Sequence, residues 1–348
     1  HVPPPPPRRR RPRKRVVVAV LGAVFALATF AYFLPQIADY RDVWGVLKGL
    51  SWEWIAALAA ATVLNLATFA PPWQVALPGL AFRPAFVLTQ VSTALSLVVP
   101  GGAAVGIAGS YGILRRWGFR GRDIGRGVTL VSIWNQFANL SYPVVAVFLL
   151  AVEGSSSAVL ATAAFVGAAV LGIAVAALGA VLASRRAAAG IGELAAQLAD
   201  WGLGKFRRGP VTWGGESFER FRLEAADLLR RRWHVLTLAT YAGTLTVFLV
   251  LLVSLRACGV PVSEVSVIEA FAAWSLARLL GTIPITPGGI GVVELSLTAT
   301  LVGFGGSNAG VVAAVLVYRF LTMVPTILLG LLAAPSLKQA ARRETVSV

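Results

Sequence analysis

The sequence predicts an all-α, polytopic membrane protein built as an inverted repeat of about four elements per copy, with six full spans and two broken re-entrant helical hairpins. Three observations predict it. Hydrophobic residues make up 57% of the 348 residues and charged residues 13%, with a mean hydropathy of +0.76, outside the range of soluble domains. Six stretches, 16–34, 52–77, 126–151, 157–183, 233–256 and 309–333, are long enough to cross a hydrocarbon core that takes roughly 20 apolar residues as helix. Two more apolar stretches, 85–118 and 262–303, are interrupted in the middle by Pro and Gly.

The elements follow in order. Residues 1–15, with VPPPPPRRRRPRKR, read as an extended basic cytoplasmic tail without the cleavage site of a signal peptide, and 16–34 as a retained first span. Residues 16–183 form the first transmembrane repeat, 184–232 a cytoplasmic amphipathic insert, 233–335 the second part of the transmembrane domain, and 336–348 a second cytoplasmic tail. In the insert, Ile191, Leu194, Leu198 and Trp201 share one helical face, as do Phe218, Phe221, Ala225, Leu228 and Leu229. These predict two helices lying in the membrane interface.

Orientation is read from lysine and arginine, which stay cytoplasmic in short flanking loops. With the N-terminal tail inside, 26 of the 31 basic residues are cytoplasmic; Arg41, Lys48 and Arg256 fall outside, and Arg278 and Arg319 fall at membrane depth. Both termini are then cytoplasmic, in a protein of the cytoplasmic membrane. The first broken stretch enters and leaves from the inside, the second from the outside. The net charge of +16 is topology signal and attraction to anionic inner-leaflet lipid, and requires no nucleic acid.

The duplication is visible in the residues. Pro100 pairs with Pro287, Gly118 with Gly303, Phe137 with Phe320 and Pro143 with Pro325, at offsets drifting only from 187 to 182. Inverted repeats with interrupted helices place ligand sites near the bilayer midplane, where the breaks meet. The second break, ITPGGIGVVEL, supplies Pro287, Gly288, Gly289, Gly291 and Glu294. It reads either as a simple loop or as a backbone turn whose following half-helix offers free N–H groups to an anion.

Arg278, Glu294 and Arg319 each cost roughly 2.5–3.5 kcal/mol at a bilayer centre on insertion scales, so their presence needs a reason. One reason is an ion pair bridging helices. The other is a cavity of net charge +1 whose two guanidinium forks take a phosphodiester, with Glu294 either holding an arginine in place or meeting a cationic head group. The first copy offers a pseudo-symmetric half-site of Pro100, Gly101, Gly102, Asn135 and Gln136, with further uncharged groups at Gln90, Ser92, Thr93, Ser96, Ser110 and Asn139. Several functions are argued against. Neither GxxxxGK[ST] nor GxSxG occurs, and GLGKF at 202–206 lacks the required spacing. Cys258 alone makes neither an internal disulfide nor a multi-cysteine metal site, and His234 beside Trp233 reads as an interfacial anchor. No cofactor, no metal and no enzymatic activity are expected.

The run RLLGTIPITPGGIGVVELSL, followed by VLVYRFLTMVPTILLGLL, resembles the flippase-like transmembrane domain of lysylphosphatidylglycerol synthases and its free-standing relatives. The resemblance spans roughly residues 16–335 and is carried by Arg278, Pro287, Gly288, Gly289, Gly291, Glu294, Tyr318 and Arg319. It implies lipid translocation across the cytoplasmic membrane, since in the fused members this domain is implicated in moving aminoacylated phospholipid. With the arginines at depth, the expected substrate is a phosphate-bearing lipid, with aminoacylated and polyprenyl-linked lipids as the candidates. Two departures are expected to matter: only 15 residues follow 333, too few for a soluble aminoacyl-transferase domain, and the first copy has no charges of its own around its break. The alternative function is a non-catalytic partner that docks a glycosyltransferase or lipid-modifying enzyme through the basic insert. A transporter of small ions or metabolites is a third.

Overall fold

Backbone N–H and C=O groups cannot be left unpaired in hydrocarbon, and helices satisfy them within one segment. The computed structural model describes residues 44–46, 48–98, 102–153, 158–183, 215–282 and 287–333, and among them no strand occurs. The principal helices are α1 (Trp52–Thr68), α2 (Pro71–Ala76), α3 (Phe82–Val98), α4 (Gly102–Arg116), α5 (Gly121–Val152), α6 (Ala158–Ala183), α7 (Gly215–Ala257), α8 (Val267–Gly281), α9 (Val292–Gly303) and α10 (Asn308–Ala333). The basic tails, the 16–34 stretch, Pro100, Gly101 and residues 184–214 lie outside the described residues.

Among the described residues, four stretches are long and apolar enough to cross a membrane: Trp52–Ala76, Gly121–Val152, Ala225–Ala257 and Asn308–Ala333. Helix α6 adds 26 residues without a charge. The two broken stretches are helical hairpins, α3 against α4 and α8 against α9. Their arms, of 17, 15, 15 and 12 residues, span roughly 18–26 Å at 1.5 Å per residue, less than the ~30 Å hydrocarbon core. No arm crosses alone.

Packing between the halves is reciprocal. The first arm of the first hairpin, α3, lies along α10; the first arm of the second hairpin, α8, lies along α5; and α1 lies along α7. The two long partners carry the paired prolines, Pro143 in α5 and Pro325 in α10. Close approach is made possible by Gly330 of α10: a Cβ there would sit 2.6 Å from Ala94 Cβ and 2.9 Å from the Gln90 carbonyl oxygen. Between α1 and α7, Asn65 Nδ2 donates to Thr246 Oγ1 at 3.1 Å, and the Thr68 and Thr246 hydroxyls pair at 2.8 Å.

Helix starts and stops have local causes. Ser266 Oγ accepts from the Glu269 N–H while Glu269 Oε2 accepts from the Ser266 N–H, a reciprocal cap that opens α8. Arg256 donates to the carbonyls of Val260 and Val265, pinning the turn after α7. The largest core cluster contains Tyr142, Phe271 and Trp274, with Tyr241 and Phe248 against it. Trp52 and Trp233, 78% and 56% exposed, stand near span ends as an aromatic belt requires.

The second amphipathic segment differs from expectation. Residues 215–257 form one continuous helix of 43 residues, because nothing between the acidic start and the span breaks it: no proline occurs there. From Ala225 onward its apolar face is covered by protein, since Ala225, Leu229 and Leu236 cluster with Val75 and Leu130, and Leu228 packs beside them; the side chains of Phe218 and Phe221 lie outside the described residues. The apolar periodicity is that of a helix docked on the bundle.

Candidate functional site

The second break is built by three glycines. Pro287–Gly289 form a single 3₁₀ turn, and Gly288, Gly289 and Gly291 have φ of 62°, 67° and 85°, a region that costs other L-residues roughly 1–2 kcal/mol each. The chain turns three times in the left-handed sense and then starts α9. Glu294, at the third position of that helix, accepts the Gly291 N–H on Oε2 at 2.7 Å. The anion held at this helix start is therefore the protein's own carboxylate, where the sequence suggested free N–H groups.

The other Glu294 oxygen, Oε1, accepts from Arg319 Nε at 2.7 Å. Arg319 Nη2 also donates to the Gly288 carbonyl oxygen at 3.1 Å. Both residues are buried, with side chains 10% and 8% exposed. Arg319 thus ties α10 to the break and to the start of α9. The ion-pair reading of these two residues holds in the geometry.

Arg278 is held differently. It sits in the last turn of α8, where a cation faces the negative end of the helix dipole. Its Nε and Nη2 both donate to Asn139 Oδ1 of α5, at 3.1 and 2.7 Å, and its guanidinium lies 5.3 Å from the centre of the Trp274 ring one turn earlier. Asn139 Nδ2 donates in turn to Gln136 Oε1 at 3.1 Å. Among the described residues no carboxylate pairs with Arg278. With Arg319 neutralised by Glu294, this leaves one uncompensated positive charge.

Arg278 and Arg319 line a cavity of about 230 Å³ with Asn139, Trp274, Gly281 and Tyr318. Sites that bury a drug-sized ligand run to roughly 300–1,000 Å³, so this one suits a head-group fragment. Arg278, Tyr318 and Arg319 are brought to one cavity, with Gly288 and Glu294 bonded directly to Arg319. Sequence reasoning missed Trp274 as the surface under Arg278; its position four residues before Arg278, hence on the same helical face, was the available signal.

The first-copy residues separate. Gly102 opens α4, and Asn135 lines a second cavity of about 230 Å³ between α1, α3, α4, α5 and α7. Gln136 is exposed and reaches the charged cavity only through Asn139. Gln90 is buried, its Nε2 donating to the Leu66 carbonyl. The two hairpins meet at their breaks: a Cβ at Gly288 would lie 3.0 Å from Leu97 Cδ2 at the end of α3.

A chain of apolar helices with a buried arginine–glutamate tie at a glycine-built break is thus fixed as a membrane protein of defined internal architecture. No curated protein matches its sequence. The family model described as the lysylphosphatidylglycerol synthase TM region matches residues 16–330, nearly the whole chain, and the chain belongs to that family.

Proposed function

We propose that the chain moves a phosphate-bearing membrane lipid between leaflets, without nucleotide, by admitting the head group to the cavity at Arg278 while the tails stay in lipid. The observation that carries this reading is the guanidinium of Arg278, lining a cavity in the apolar bundle with a neutral amide and an indole for company and no carboxylate partner among the described residues. Such a group costs several kcal/mol to keep in a membrane, and an incoming phosphodiester supplies the counter-charge. The family describes the membrane part, not the catalytic part, of lipid-modifying synthases, which supports a lipid-related role.

The reading places the halves in opposite topology. It is supported by the reciprocal packing of α3 on α10 and α8 on α5, by the paired prolines, and by the meeting of the two breaks at Leu97 and Gly288. In it both termini are cytoplasmic and six spans flank two re-entrant hairpins in the cytoplasmic membrane.

The test is reconstitution in vesicles with head-group-labelled anionic, aminoacylated and polyprenyl-linked lipids, following protection from an impermeant quencher. Accelerated exchange of one class, lost in Arg278→Ala, supports the reading. Rates equal to those of protein-free vesicles for every class would refute it and favour a docking partner for a lipid-modifying enzyme.

A further inference from the structure

The second cavity carries its own chemistry, set by where its hydroxyl protons go. Thr89 Oγ1 donates to the Phe86 carbonyl at 2.8 Å, Ser92 Oγ to Thr89 at 3.2 Å, Ser96 Oγ to Ser92 at 3.0 Å and Ser110 Oγ to Gly106 at 3.0 Å. Asn135 likewise turns its Nδ2 to the Val131 carbonyl at 2.9 Å. A hydroxyl has one proton, and once that proton is committed to the helix backbone the oxygen can only accept. The amide of Asn135, with Nδ2 so engaged, has its Oδ1 acceptor to offer. All five residues line the same cavity, which has no charged residue in its lining.

Thr240, on α7, lines it too. It is 3% exposed and its Oγ1 has no hydrogen-bond partner. A buried hydroxyl left unpaired is costly, so it marks a place where a partner is missing.

We propose that this cavity is a binding site for a compact monovalent cation, coordinated by neutral hydroxyl and amide oxygens of Thr89, Ser92, Ser96, Ser110, Asn135 and Thr240. With no cationic side chain in the lining and most of its hydroxyl protons committed to the backbone, the walls offer an anion little. They also hold divalent ions poorly, since those ions draw on carboxylates. Neutral oxygens that replace part of a hydration shell suit a single positive charge. The cation comes from the aqueous phase as an alkali ion, or arrives as the ammonium of a membrane lipid. The site does not depend on the charged cavity's taking a lipid, since the two cavities share no lining residue.

The experiment uses the purified chain in uncharged detergent. Sodium chloride and potassium chloride are titrated calorimetrically, with choline chloride holding ionic strength constant, and with thermal stability as a second readout. A parallel arm compares stability in nanodiscs of phosphatidylethanolamine with phosphatidylcholine, whose ammonium is fully methylated. Saturable binding of an alkali ion identifies the aqueous source, and stabilisation by phosphatidylethanolamine alone identifies the lipid source. Thr240→Val is the decisive variant: its Oγ1 makes no bond in the fold, so the isosteric change leaves folding intact and is expected to weaken binding at least tenfold, as is Ser96→Ala. No saturable response to any of the four probes, or wild-type binding in both variants, would overturn the proposal.

Discussion

Glu294 and Arg278 are expected to fail in opposite ways when substituted. Glu294→Ala removes the acceptor of Arg319 Nε at 2.7 Å and the acceptor of the Gly291 N–H at 2.7 Å. It leaves a guanidinium whose side chain is 8% exposed without its counter-charge. Breaking a buried pair in this way costs about 3–5 kcal/mol, which predicts a fall of roughly 5–10 °C in the unfolding midpoint in detergent. Solvent screening gives little relief at that burial. The double variant Glu294→Leu/Arg319→Met removes both charges and is expected to recover most of the loss, less the cap on Gly291, worth about 1 kcal/mol. Arg278→Ala gives up two bonds to one amide oxygen and a cation–π contact, but also relieves an unpaired charge, so the net loss is at most about 1–2 kcal/mol while transport disappears. Thermal unfolding of the four proteins, run beside the vesicle assay, decides. If Glu294→Ala matched the wild type in stability, or Arg278→Ala were the more destabilised, the division between a structural and a ligand-facing arginine would be wrong.

Other perturbations follow from the same geometry. Asn139→Leu removes the oxygen that orients Arg278 and is expected to lower transport at least tenfold with a stability change under about 2 kcal/mol, measured by the same pair of assays. Gly330→Leu places a side chain where even a Cβ meets Ala94 at 2.6 Å, so α3 and α10 must part, at about 1–3 kcal/mol read from thermal unfolding. Cysteines at Arg120 and Ser307, both exposed, are expected to label from opposite sides of the membrane, the former from the cytoplasm; labelling from one side refutes the inverted topology. The native Cys258 does not interfere with that experiment: it is buried, and burial pushes its thiol up to about 11. Stability carried by that neutral thiol is present below its ordinary value of 9.0 and falls as pH rises toward about 11, a loss that Cys258→Ala is expected to abolish in denaturation measured against pH.

What could be read from the residues alone divides along physical lines. Charges in an apolar run announce themselves by their cost, and so Arg278, Glu294 and Arg319 were legible, as were the glycines whose backbone freedom the turn at 287–291 requires. Which arginine Glu294 takes was not, because that depends on how α8 and α10 sit around α9, and Arg278 instead finds an amide 139 residues away. The hairpins were legible from the Pro and Gly breaks and the short arms beside them. The fate of the apolar face through Ala225, Leu228 and Leu229 was not: periodicity shows that a face is covered, and lipid and protein leave the same pattern. The acceptor character of the second cavity depends on hydroxyl partners, which composition does not encode.

The meeting of Leu97 and Gly288 has an electrical consequence. Ser96, beside Leu97 in the chain, lines one cavity, and Arg319, bonded to the Gly288 carbonyl, lines the other. In the proposed opposite topology, with water entering the two cavities from the two faces, the packing around Leu97 and Gly288 is the insulator in place of much of the ~30 Å of hydrocarbon. The membrane voltage would then be concentrated across that packing. A charged head group crossing there does work of about 2.3 kcal/mol per elementary charge for each 100 mV, over a shorter path than a bare bilayer presents.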